Sequence, residues 1–469
     1  MERAGLTVLI MAAGEGTRMR STLPKVLHPV CGRPMIAWPV IAAREAGADR
    51  IAVIVSPDRD LTPGLPSGTE TVIQPEADGT GGAVRAAHDI VRASETVIVL
   101  SGDHPLVTTE IVTALLETHR AADAAATVMT VDLEDPGAYG RIVRDAADEV
   151  ERIVETKDPE HVPPEELAIR EINTGTYAFE AEPLVAALDQ LTNDNPAGEY
   201  YIGDVVPMFR EQGLAVVAHK AEDANVNLGV NNRVDLAQVT AEARRQILER
   251  HMLAGVTILD PSSTWIDATV EIAADATIEP GTTLRGSSAV GPDSIIGPQT
   301  TVVDSRIGEG VRILQSYVCG SEIAERCEIG PFAYLRPGTV LEAGAKAGTF
   351  VEIKGSRIGA GAKVPHLAYV GDADIGDRAN LGAGTVTANY DGFTKNRTKI
   401  GEGARISVNT SLVAPVTVGD GAYTGADAVI REDVPDGALA VSCNEQRNID
   451  GYAERKRQAN EDATDAQGE

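Results

Sequence analysis

A glycine-rich segment follows the first apolar run of the chain and could bind phosphate. Residues 7–11 are apolar and lead into Ala12, Ala13, Gly14 and Gly16. A glycine-rich turn directly after a strand can bring backbone N–H groups against phosphate oxygens. The segment is not a dinucleotide fingerprint, because the third glycine is absent, and it lacks the Gly-Lys-Ser/Thr of a Walker loop. Spacing alone leaves two interpretations open, a phosphate site and a plain strand-to-helix turn.

Two cations and one carboxylate accompany this segment. Arg18 and Lys25 lie close together in a chain of formal net charge −29, which indicates an anion pocket unless both are simply solvated. Asp103 follows the apolar run 96–100, at the carboxyl end of a predicted strand, where α/β sheets bind ligands. A carboxylate there suits Mg²⁺, which takes oxygen donors and few protein ligands beside phosphates. The alternative for Asp103 is a turn residue that caps a helix.

From residue 255 onward the chain contains a single histidine, His366. A zinc hydratase would require three histidine ligands, so that chemistry is excluded for this region. The remaining interpretations are a structural histidine and a lone general base, a task that suits a neutral imidazole near pH 7. The surroundings favour the base, because Arg336 and Lys354 lie one or two predicted coils earlier and an irregular segment with Asn389 and Tyr390 follows.

The elements that must position these residues belong to two architectures. In the first half, apolar runs alternate with helical segments, which predicts a mostly parallel α/β sheet. These runs are residues 7–11, 51–55, 96–100 and 125–131. Residues 34–46 have the composition of a helix, which Pro39 is expected to kink or interrupt. Residues 234–253 are rich in Ala, Arg, Gln and Leu and predict a linking helix.

The second architecture is a repeat of six residues. Aliphatic side chains recur at every sixth position from Ile266 to Val302, a period that fits neither an amphipathic helix nor a half-buried strand. Gly, Pro and Asp stand between them, where the chain must turn. This pattern predicts a parallel β-helix. The repeat breaks between residues 387 and 399, which predicts a loop that leaves the coil, and such loops are often functional.

The composition argues against several partners. A net charge of −29 disfavours nucleic acid and the surface of a membrane, since both are polyanionic. The N-terminal residues lack the apolar core of a signal peptide, and no apolar run approaches the length of a membrane span. The four cysteines are scattered and form no Cys-x-x-Cys pair, which indicates reduced thiols. We therefore expect a cytoplasmic protein without membrane insertion.

The motifs of the first half, in their order along the chain, resemble those of the sugar-nucleotide pyrophosphorylases. They are Ala12-Ala13-Gly14-x-Gly16-Thr17-Arg18-Met19, Pro24-Lys25, Gln74 with Gly79-Thr80-Gly81, Gly102-Asp103, Tyr139-Gly140-Arg141, Val154-Glu155, Glu171-Ile172-Asn173-Thr174-Gly175 and Gly229-Val230-Asn231-Asn232-Arg233. With the six-residue repeat, nearly the whole chain resembles the bifunctional N-acetylglucosamine-1-phosphate uridyltransferase/glucosamine-1-phosphate acetyltransferase family. The resemblance implies two-step synthesis of UDP-N-acetylglucosamine, a precursor of peptidoglycan, from glucosamine-1-phosphate, acetyl-CoA and UTP.

The resemblance also implies roles in uridyl transfer, in which the sugar phosphate attacks the α-phosphorus of UTP and releases pyrophosphate. The loop of Ala12, Ala13, Gly14 and Gly16 would hold the UTP phosphates, with Arg18 and Lys25 supplying catalytic positive charge. The remaining roles fall to residues farther along the chain. Gln74, Gly79 and Thr80 would read uracil, Gly140, Glu155 and Asn173 would bind the N-acetylglucosamine, and Asp103 and Asn231 would ligate Mg²⁺, Asn231 also bordering the sugar phosphate.

For acetyl transfer, the resemblance implies that His366 takes a proton from the amine of glucosamine-1-phosphate as that amine attacks acetyl-CoA. The other residues divide between the sugar phosphate and the coenzyme. Arg336, Lys354, Tyr369, Asn380 and Tyr390 would contact the sugar phosphate, and Ala383, Asn389, Tyr390, Lys395 and Ala426 would border acetyl-CoA. The β-helices of this family are left-handed and form homotrimers whose acetyl sites are shared between subunits.

The predicted organisation has four parts. An α/β Rossmann-like nucleotidyltransferase domain spans residues 1–231, a linker helix 232–254, a left-handed parallel β-helix 255–445, and a polar, largely disordered tail 446–469. Two alternatives keep part of this function: a β-helix that only trimerises or regulates the uridyltransferase, and a binding scaffold whose sites have decayed. Four positions depart from the family pattern, namely Glu15, Asp78, Val408 and Cys443.

Overall fold

The computed structural model describes residues 3–156, 159–195, 197–442 and 448–465, so Cys443 lies outside the described residues. The chain forms two compact units. The first comprises Met1–Leu253 and Trp265–Val270, and the second Ala254–Thr264 and Glu271–Glu469. Among the described residues, no helix is long and apolar enough to cross a membrane.

The first unit contains a mixed sheet, in which one strand runs antiparallel to otherwise parallel neighbours. In spatial order its main strands are Val216–Lys220, Ala126–Asp132, Glu171–Glu180, Ser94–Ser101, Ala4–Met11, Arg50–Val55 and Glu70–Ile73. Glu171–Glu180 is the antiparallel strand. Arg141–Arg144 and Val150–Val154 extend the sheet beside it, and Pro29–Val30 and Arg33–Pro34 form a separate hairpin.

Helices cover both faces of this sheet. The α-helices are Ala37–Glu45, Thr80–Ala86, His88–Arg92, Thr109–Ala121, Pro164–Leu167, Ala181–Leu188, Val205–Glu211 and Arg233–Leu253. Short 3₁₀ turns lie at Thr17–Met19, Lys25–Leu27, Thr62–Gly64, Pro159–His161, Ile202–Asp204 and Ala224–Asn227. Side chains of a strand alternate between faces, so Leu9 packs into one apolar core while Val8 and Ile10 pack into the other. The predicted α/β sheet is confirmed.

The expected effect of Pro39 was wrong. The helix begins at Ala37 and runs unbroken to Glu45. Pro39 therefore lies in the first turn, where a missing N–H removes no intrahelical hydrogen bond. The sequence pattern had placed the start of the helix too early.

The second unit is built from three parallel sheets. The first contains Thr257–Ile258, Thr277–Ile278, Ile295–Ile296, Arg312–Ile313, Glu328–Ile329, Lys346–Thr349, Lys363–His366, Asn380–Leu381, Arg405–Ile406, Tyr423–Thr424 and Leu439–Ala440. The second contains Thr283–Arg285, Thr301–Val303, Tyr317–Cys319, Tyr334–Leu335, Glu352–Lys354, Tyr369–Gly371, Val386–Ala388, Ser411–Val413 and Val429–Ile430. The third contains Glu271–Ile272, Ala289–Val290, Arg306–Ile307, Glu322–Ile323, Val340–Leu341, Arg357–Ile358, Ala373–Ile375, Thr398–Ile400 and Val416–Val418.

The six-residue repeat is the cause of this architecture. Each coil contributes one short strand to each sheet, and the repeating aliphatic residues point inward, as Ile278, Leu284 and Ile296 do at 0% exposure. The arrangement is consistent with a left-handed β-helix. Between the strands Val386–Ala388 and Thr398–Ile400 the chain leaves the coil, so the predicted loop is present.

A helix at Tyr452–Asp465 follows the β-helix. It lies within the tail for which the polar composition predicted little order. Its Glu, Arg, Lys and Gln residues are polar, yet these residues and its alanines are strong helix formers, so composition alone could not separate the two outcomes.

Candidate active sites

A cavity of about 370 Å³ opens at the carboxyl ends of two neighbouring parallel strands. Met11 and Ser101, the last residues of these strands, are paired in register. The lining contains most residues of the predicted nucleotide site. These are Ala12, Ala13, Gly14, Lys25, Gln74, Gly79, Thr80 and Asp103, together with Glu15. Gly16 and Arg18 do not line the cavity.

Gly16 instead determines where Lys25 lies. Its φ of 61° belongs to the left-handed region that favours glycine. A Cβ atom at this position would stand 2.7 Å from Cβ of Lys25. The absence of a side chain therefore lets the loop close over the backbone that carries Lys25.

The predicted uracil end of the cavity is already ordered by hydrogen bonds. The buried amide of Gln74 donates to Oδ1 of Asp78 at 2.7 Å and to the carbonyl of Gly79 at 3.2 Å. Arg85 donates to the other oxygen of Asp78 at 3.3 Å and stacks over the ring of Tyr200 at 3.9 Å. Asp78, which departs from the family pattern, is thus part of a bonded network.

The backbone at this end is tightly packed. A Cβ atom on Gly79, whose φ is 103°, would lie 2.5 Å from the carbonyl oxygen of Tyr200. The hydroxyl of Thr80 accepts a hydrogen bond from the N–H of Ile202 at 3.1 Å. Both residues therefore occupy fixed positions at the cavity wall.

Asp103 is held beside Lys25. Its Oδ2 lies 2.5 Å from Nζ of Lys25, and its Oδ1 accepts from the hydroxyl of Ser101 at 2.7 Å. Burial opposes ionisation, but the charges of His104 and Lys25 and the hydrogen bonds from Lys25 and Ser101 hold the pKa of Asp103 at about 2. The carboxylate is therefore ionised at neutral pH, as a metal ligand must be.

A backbone hydrogen bond brings the segment that contains Asn231 next to Asp103. The N–H of Val230 donates to the carbonyl of Asp103 at 3.0 Å, which joins the two segments. The side-chain oxygen of Asn231 accepts from Arg18 at 2.8 Å. Its own N–H donates to Asp235 at 2.9 Å. Asn231 therefore fixes the position of Arg18, although neither of these two side chains lines the cavity.

These residues fit a magnesium ion. Asp103 supplies an ionised oxygen and Asn231 an amide oxygen, and Mg²⁺ is commonly held by one or two protein oxygens together with substrate phosphates and water. Both oxygens are at present bonded to cationic side chains.

The three residues predicted to bind the sugar also come together. The N–H of Asn173 donates to the carbonyl of Gly140 at 2.9 Å. Oε1 of Glu155 would lie 3.5 Å from a Cβ atom on Gly140. The amide of Asn173 donates to the buried hydroxyl of Tyr177 at 2.7 Å, and burial raises the pKa of Tyr177, so this phenol stays protonated. Tyr177 was not predicted and acts as the support of Asn173.

His366 is exposed at the end of the strand Lys363–His366. It pairs in register with Thr349 of the preceding coil, and Leu367 follows with a left-handed φ of 49°. Among the described residues, no hydrogen bond or ion pair engages the imidazole. Its nitrogens are therefore available to a ligand.

Three residues implicated by the resemblance stand in line with His366. His366, Ala383, Val408 and Ala426 each directly precede a left-handed residue, which turns the corner of its coil. Those residues are Leu367, Gly384, Asn409 and Asp427. Backbone hydrogen bonds join the corners, from Gly384 to Leu367, from Asn409 to Ala383 and from Asp427 to Val408. Successive coils are about 4.8 Å apart, so the four residues form one row along the β-helix.

A second cluster lies around Asp372. Its carboxylate accepts from Nζ of Lys354 at 3.2 Å and from the amide of Asn389 at 2.5 Å. The hydroxyl of Tyr369 and the amide of Asn389 both lie over Gly371, whose missing side chain leaves them room. Burial opposes ionisation, but the hydrogen bonds from Asn389 and Lys354 keep the pKa of Asp372 below its usual range.

Cations surround this cluster. A hydrogen bond with Lys395 raises the pKa of Lys354, and the neighbouring carboxylate of Asp372 raises it further. The same contact with Lys354 lowers the pKa of Lys395. Arg336 donates to Glu352 at 2.9 Å. Two amines and a guanidinium near one another could neutralise a sugar phosphate.

The remaining predicted residues are placed as follows. Tyr390 is 61% exposed at the base of the loop, forms a bridge with Lys395 and donates its hydroxyl hydrogen to the carbonyl of Gly392 at 2.7 Å. Asn380 lies in a strand paired with Lys363 and Arg405, and no hydrogen bond joins it to His366 among the described residues.

The sequence did not assign Asp372 or Glu352 a role, although each fixes a predicted cation. Asp372 was visible as Gly371-Asp372 in the segment that precedes the loop, but the sequence does not show which lysine it faces. His104 and Ser101 were missed for the same reason.

Comparison with known proteins identifies the family. Residues 8–166 match the model of the MobA-like NTP transferase domain. The chain is 46% identical over 465 residues to the bifunctional protein GlmU of Mycobacterium ulcerans (strain Agy99), covering 97% of this chain and 94% of that protein. It is 47% identical to the bifunctional protein GlmU of Corynebacterium efficiens, over 96% of this chain and 94% of that protein, and 45% identical to that of Mycobacterium tuberculosis (strain CDC 1551 / Oshkosh), over 96% and 92%.

The chain belongs to the bifunctional GlmU family. Membership confirms the predicted function, the synthesis of UDP-N-acetylglucosamine for the cell wall by a bifunctional uridylyltransferase and acetyltransferase. The N-terminal nucleotidyltransferase domain is likewise confirmed. Nucleotide and acetyl-CoA substrates follow from the same membership.

Proposed function

We propose that the two reactions occur at two separate sites, uridyl transfer in the cavity beside Lys25 and Asp103, and acetyl transfer along the row that contains His366. The observation that carries this proposal is the distribution of the predicted residues. The residues predicted to bind UTP and N-acetylglucosamine lie in the first unit, whereas His366, Lys354 and Asn389 belong to the second. The proposed limits of the parts are residues 1–231, 232–254, 255–445 and 446–469.

In uridyl transfer the protein mainly positions the reactants and neutralises charge. The backbone of Ala12, Ala13 and Gly14 faces the cavity and would bind phosphate oxygens. Lys25 would leave Asp103 for the α-phosphate, and Arg18 would leave Asn231 for the departing pyrophosphate. Positive charge held where negative charge develops lowers the barrier to phosphoryl-type transfer.

Asp103 and Asn231 are the proposed magnesium ligands. When bound, Mg²⁺ would neutralise charge on the phosphate oxygens. The two residues hold it only by oxygen atoms, in agreement with the preference of a hard cation. Gly140, Glu155 and Asn173 would orient the N-acetylglucosamine phosphate for in-line attack.

In acetyl transfer His366 would act as the general base. Its exposed imidazole would accept a proton from the amine of glucosamine-1-phosphate while that amine attacks the thioester carbonyl. Lys354, Arg336 and Lys395 would bind the sugar phosphate, with Tyr369, Tyr390 and Asn380 around the sugar. Asn389, fixed by Asp372, would position the amine or the acetyl group. Ala383 and Ala426 would line the coenzyme along the His366 row.

We further propose that the active molecule is a cytoplasmic homotrimer. An apolar ladder, defined as Phe332, Phe350 and Leu367, runs along the corner next to the His366 row. These side chains are 52%, 57% and 62% exposed, and the two phenyl rings stack with centroids 5.3 Å apart. Contiguous exposed apolar surface marks an interaction site, and a second copy seated there would lie directly beside His366.

The test is a pair of substitutions assayed for both reactions. His366→Ala should abolish acetyl transfer, measured as thiol release from acetyl-CoA with glucosamine-1-phosphate, and leave uridyl transfer nearly intact. Asp103→Ala should do the reverse, measured as pyrophosphate release from UTP and N-acetylglucosamine-1-phosphate. Loss of both activities from one substitution, in a folded protein, would contradict two independent sites.

A further inference from the structure

A second cavity of about 260 Å³ lies within the first unit. It is formed by the helix Ala37–Glu45, the start of the helix Thr109–Ala121 and the last turns of the helix Arg233–Leu253. None of the residues that line it is among the proposed catalytic or substrate-binding residues. Its volume suits a small organic molecule rather than a single water.

Two arginines of this cavity form no ion pair within the described residues, although the charge of Glu45 attracts Arg33. Arg33 stacks over the ring of Trp38 at 4.8 Å, and Arg250 enters from the end of the long helix. Within the part of the chain that the structure describes, neither guanidinium makes an ion pair or a side-chain hydrogen bond. Burial, and then the like charge of Arg250, lower the pKa of Arg33, so the two charges are close enough to repel. An anion between them would relieve that repulsion.

A third donor points to the same conclusion. Nε1 of Trp38 is buried and has no hydrogen-bond acceptor among the described residues. Leaving a buried donor unpaired is costly, so such groups are normally satisfied by a partner. A ligand oxygen in the cavity would supply the missing acceptor.

The carboxylates of the lining are already engaged. Glu45 accepts from the hydroxyl of Thr109 at 2.8 Å. A hydrogen bond from Thr108, followed by one from its own backbone N–H, lowers the pKa of Glu110. Both carboxylates are therefore hydrogen-bonded to the first turn of the helix Thr109–Ala121. Glu45 still attracts Arg33 electrostatically, but neither guanidinium has a direct ion-pair partner in the described part of the chain, and the indole N–H of Trp38 has no acceptor there.

We propose that this cavity binds a small organic oxyanion, a phosphate or carboxylate carried on an apolar or aromatic group. The charged end lies between Arg33 and Arg250 and offers an oxygen to Nε1 of Trp38. The apolar end packs against Ile41, Val107 and Ile247, which also line the cavity. Charge-assisted hydrogen bonds from arginine are the strong contacts of such a site.

The fluorescence of Trp38 tests the proposal. The chain has two tryptophans, so Trp265→Phe leaves Trp38 as the single reporter in the full-length protein. Titration with phenyl phosphate should then give a saturable change in emission. In the same background Arg250→Gln should weaken this binding about tenfold or more, which corresponds to loss of one charge-assisted contact. Arg250 is exposed, so this variant should fold even where Arg33→Gln does not.

Matched controls separate a specific site from general effects of charge. Arg245→Gln removes a cation from the same helix, but one that pairs with Glu242 and Glu249, and should leave binding unchanged. Lys25→Ala should also leave it unchanged, which makes the result independent of the proposed uridyl site. Phenol, which lacks the anion, should bind at least about tenfold more weakly than phenyl phosphate. Absence of a saturable signal, equal weakening by Arg245→Gln, or equal binding of phenol would overturn the proposal.

Discussion

At the scale of single residues, Glu15 distinguishes this nucleotide site from the family pattern. It lines the cavity in the middle of the proposed phosphate loop and is exposed. A carboxylate there repels the phosphates of UTP, although solvent and salt screen the effect. Glu15→Gln should therefore lower the KM for UTP about two- to fivefold, an effect of ~1 kcal/mol or less, with little change in kcat.

Steady-state uridyl transfer at two ionic strengths would measure this effect. The gain should shrink as salt rises, because screening removes the repulsion in the unmodified protein. Glu117→Gln is the matched control, since this glutamate is exposed on the helix Thr109–Ala121 and does not line the cavity. A KM that is unchanged, or that rises, would argue against an electrostatic role for Glu15.

Asp372 is the residue through which Lys354 and Asn389 are positioned. Asp372→Ala should reduce kcat/KM for acetyl transfer about tenfold to a hundredfold, because it frees two residues proposed to contact the substrate. Uridyl transfer should not change. Asp374→Ala is the control, because Asp374 lies two positions away and pairs with Arg397 instead. If both variants lost the same activity, the effect would be one of coil stability.

The roles of individual residues were predictable only where a motif carried them. The glycine-rich loop, Lys25, Asp103 and His366 were visible because their types and spacing suggest chemistry. Asp372 and Tyr177 were not, since their importance arises from contacts across 17 and 4 positions that the sequence does not reveal. The cavity beside Arg33 and Arg250 likewise joins residues from distant segments.

At the scale of elements, the spacing of aliphatic residues predicted secondary structure better than residue composition did. The step of six predicted the coils because each inward aliphatic residue is buried and each corner needs a turn residue. Composition predicted the helix around Pro39, although the kink expected at Pro39 was wrong, and it did not reveal the helix Tyr452–Asp465. Helix ends depend on which backbone groups find partners, and a polar sequence of helix formers can be ordered or not.

The helix Arg233–Leu253 carries a pH-sensitive residue near its end. His251 is 6% exposed, and its Nε2 is buried without a hydrogen-bond partner among the described residues. Burial, followed by the charge of Arg250, lowers the pKa of His251 to about 4. Above pH ~6.5 the imidazole of His251 is neutral in both the folded and the unfolded protein, so it does not affect the free energy of unfolding. As pH falls from ~6.5 towards 4, only the unfolded form takes up the proton, and stability is lost.

His251→Leu should remove this contribution. Thermal unfolding of the first unit, followed by calorimetry between pH 7 and 5, should show a smaller fall in Tm for the variant than for the unmodified protein. The difference corresponds to at most about 2 kcal/mol at pH 5. His161→Leu is the control, because His161 is exposed. Parallel pH profiles of the His251→Leu variant and the unmodified protein would contradict the assignment.

At the scale of the whole molecule, the second of the two proposed sites is open to solvent, because His366 is exposed. The row with His366 lies on the surface of the β-helix, and the adjacent apolar ladder of Phe332, Phe350 and Leu367 is exposed. General-base chemistry needs a substrate held in place and shielded from water. A neighbouring copy packed on the ladder would supply that wall, so assembly and acetyl transfer should be lost together.

Phe350→Asp tests this coupling, because a carboxylate in the middle of the ladder would be buried without a partner in the trimer. Light scattering should show dissociation to smaller species, and acetyl transfer should fall by more than about a hundredfold, while uridyl transfer stays within about twofold because its cavity lies in the first unit. Leu259→Asp is the control, since Leu259 is 58% exposed in the first coil, outside the ladder. A Phe350→Asp protein that dissociates yet retains acetyl transfer would show that one chain builds the whole site.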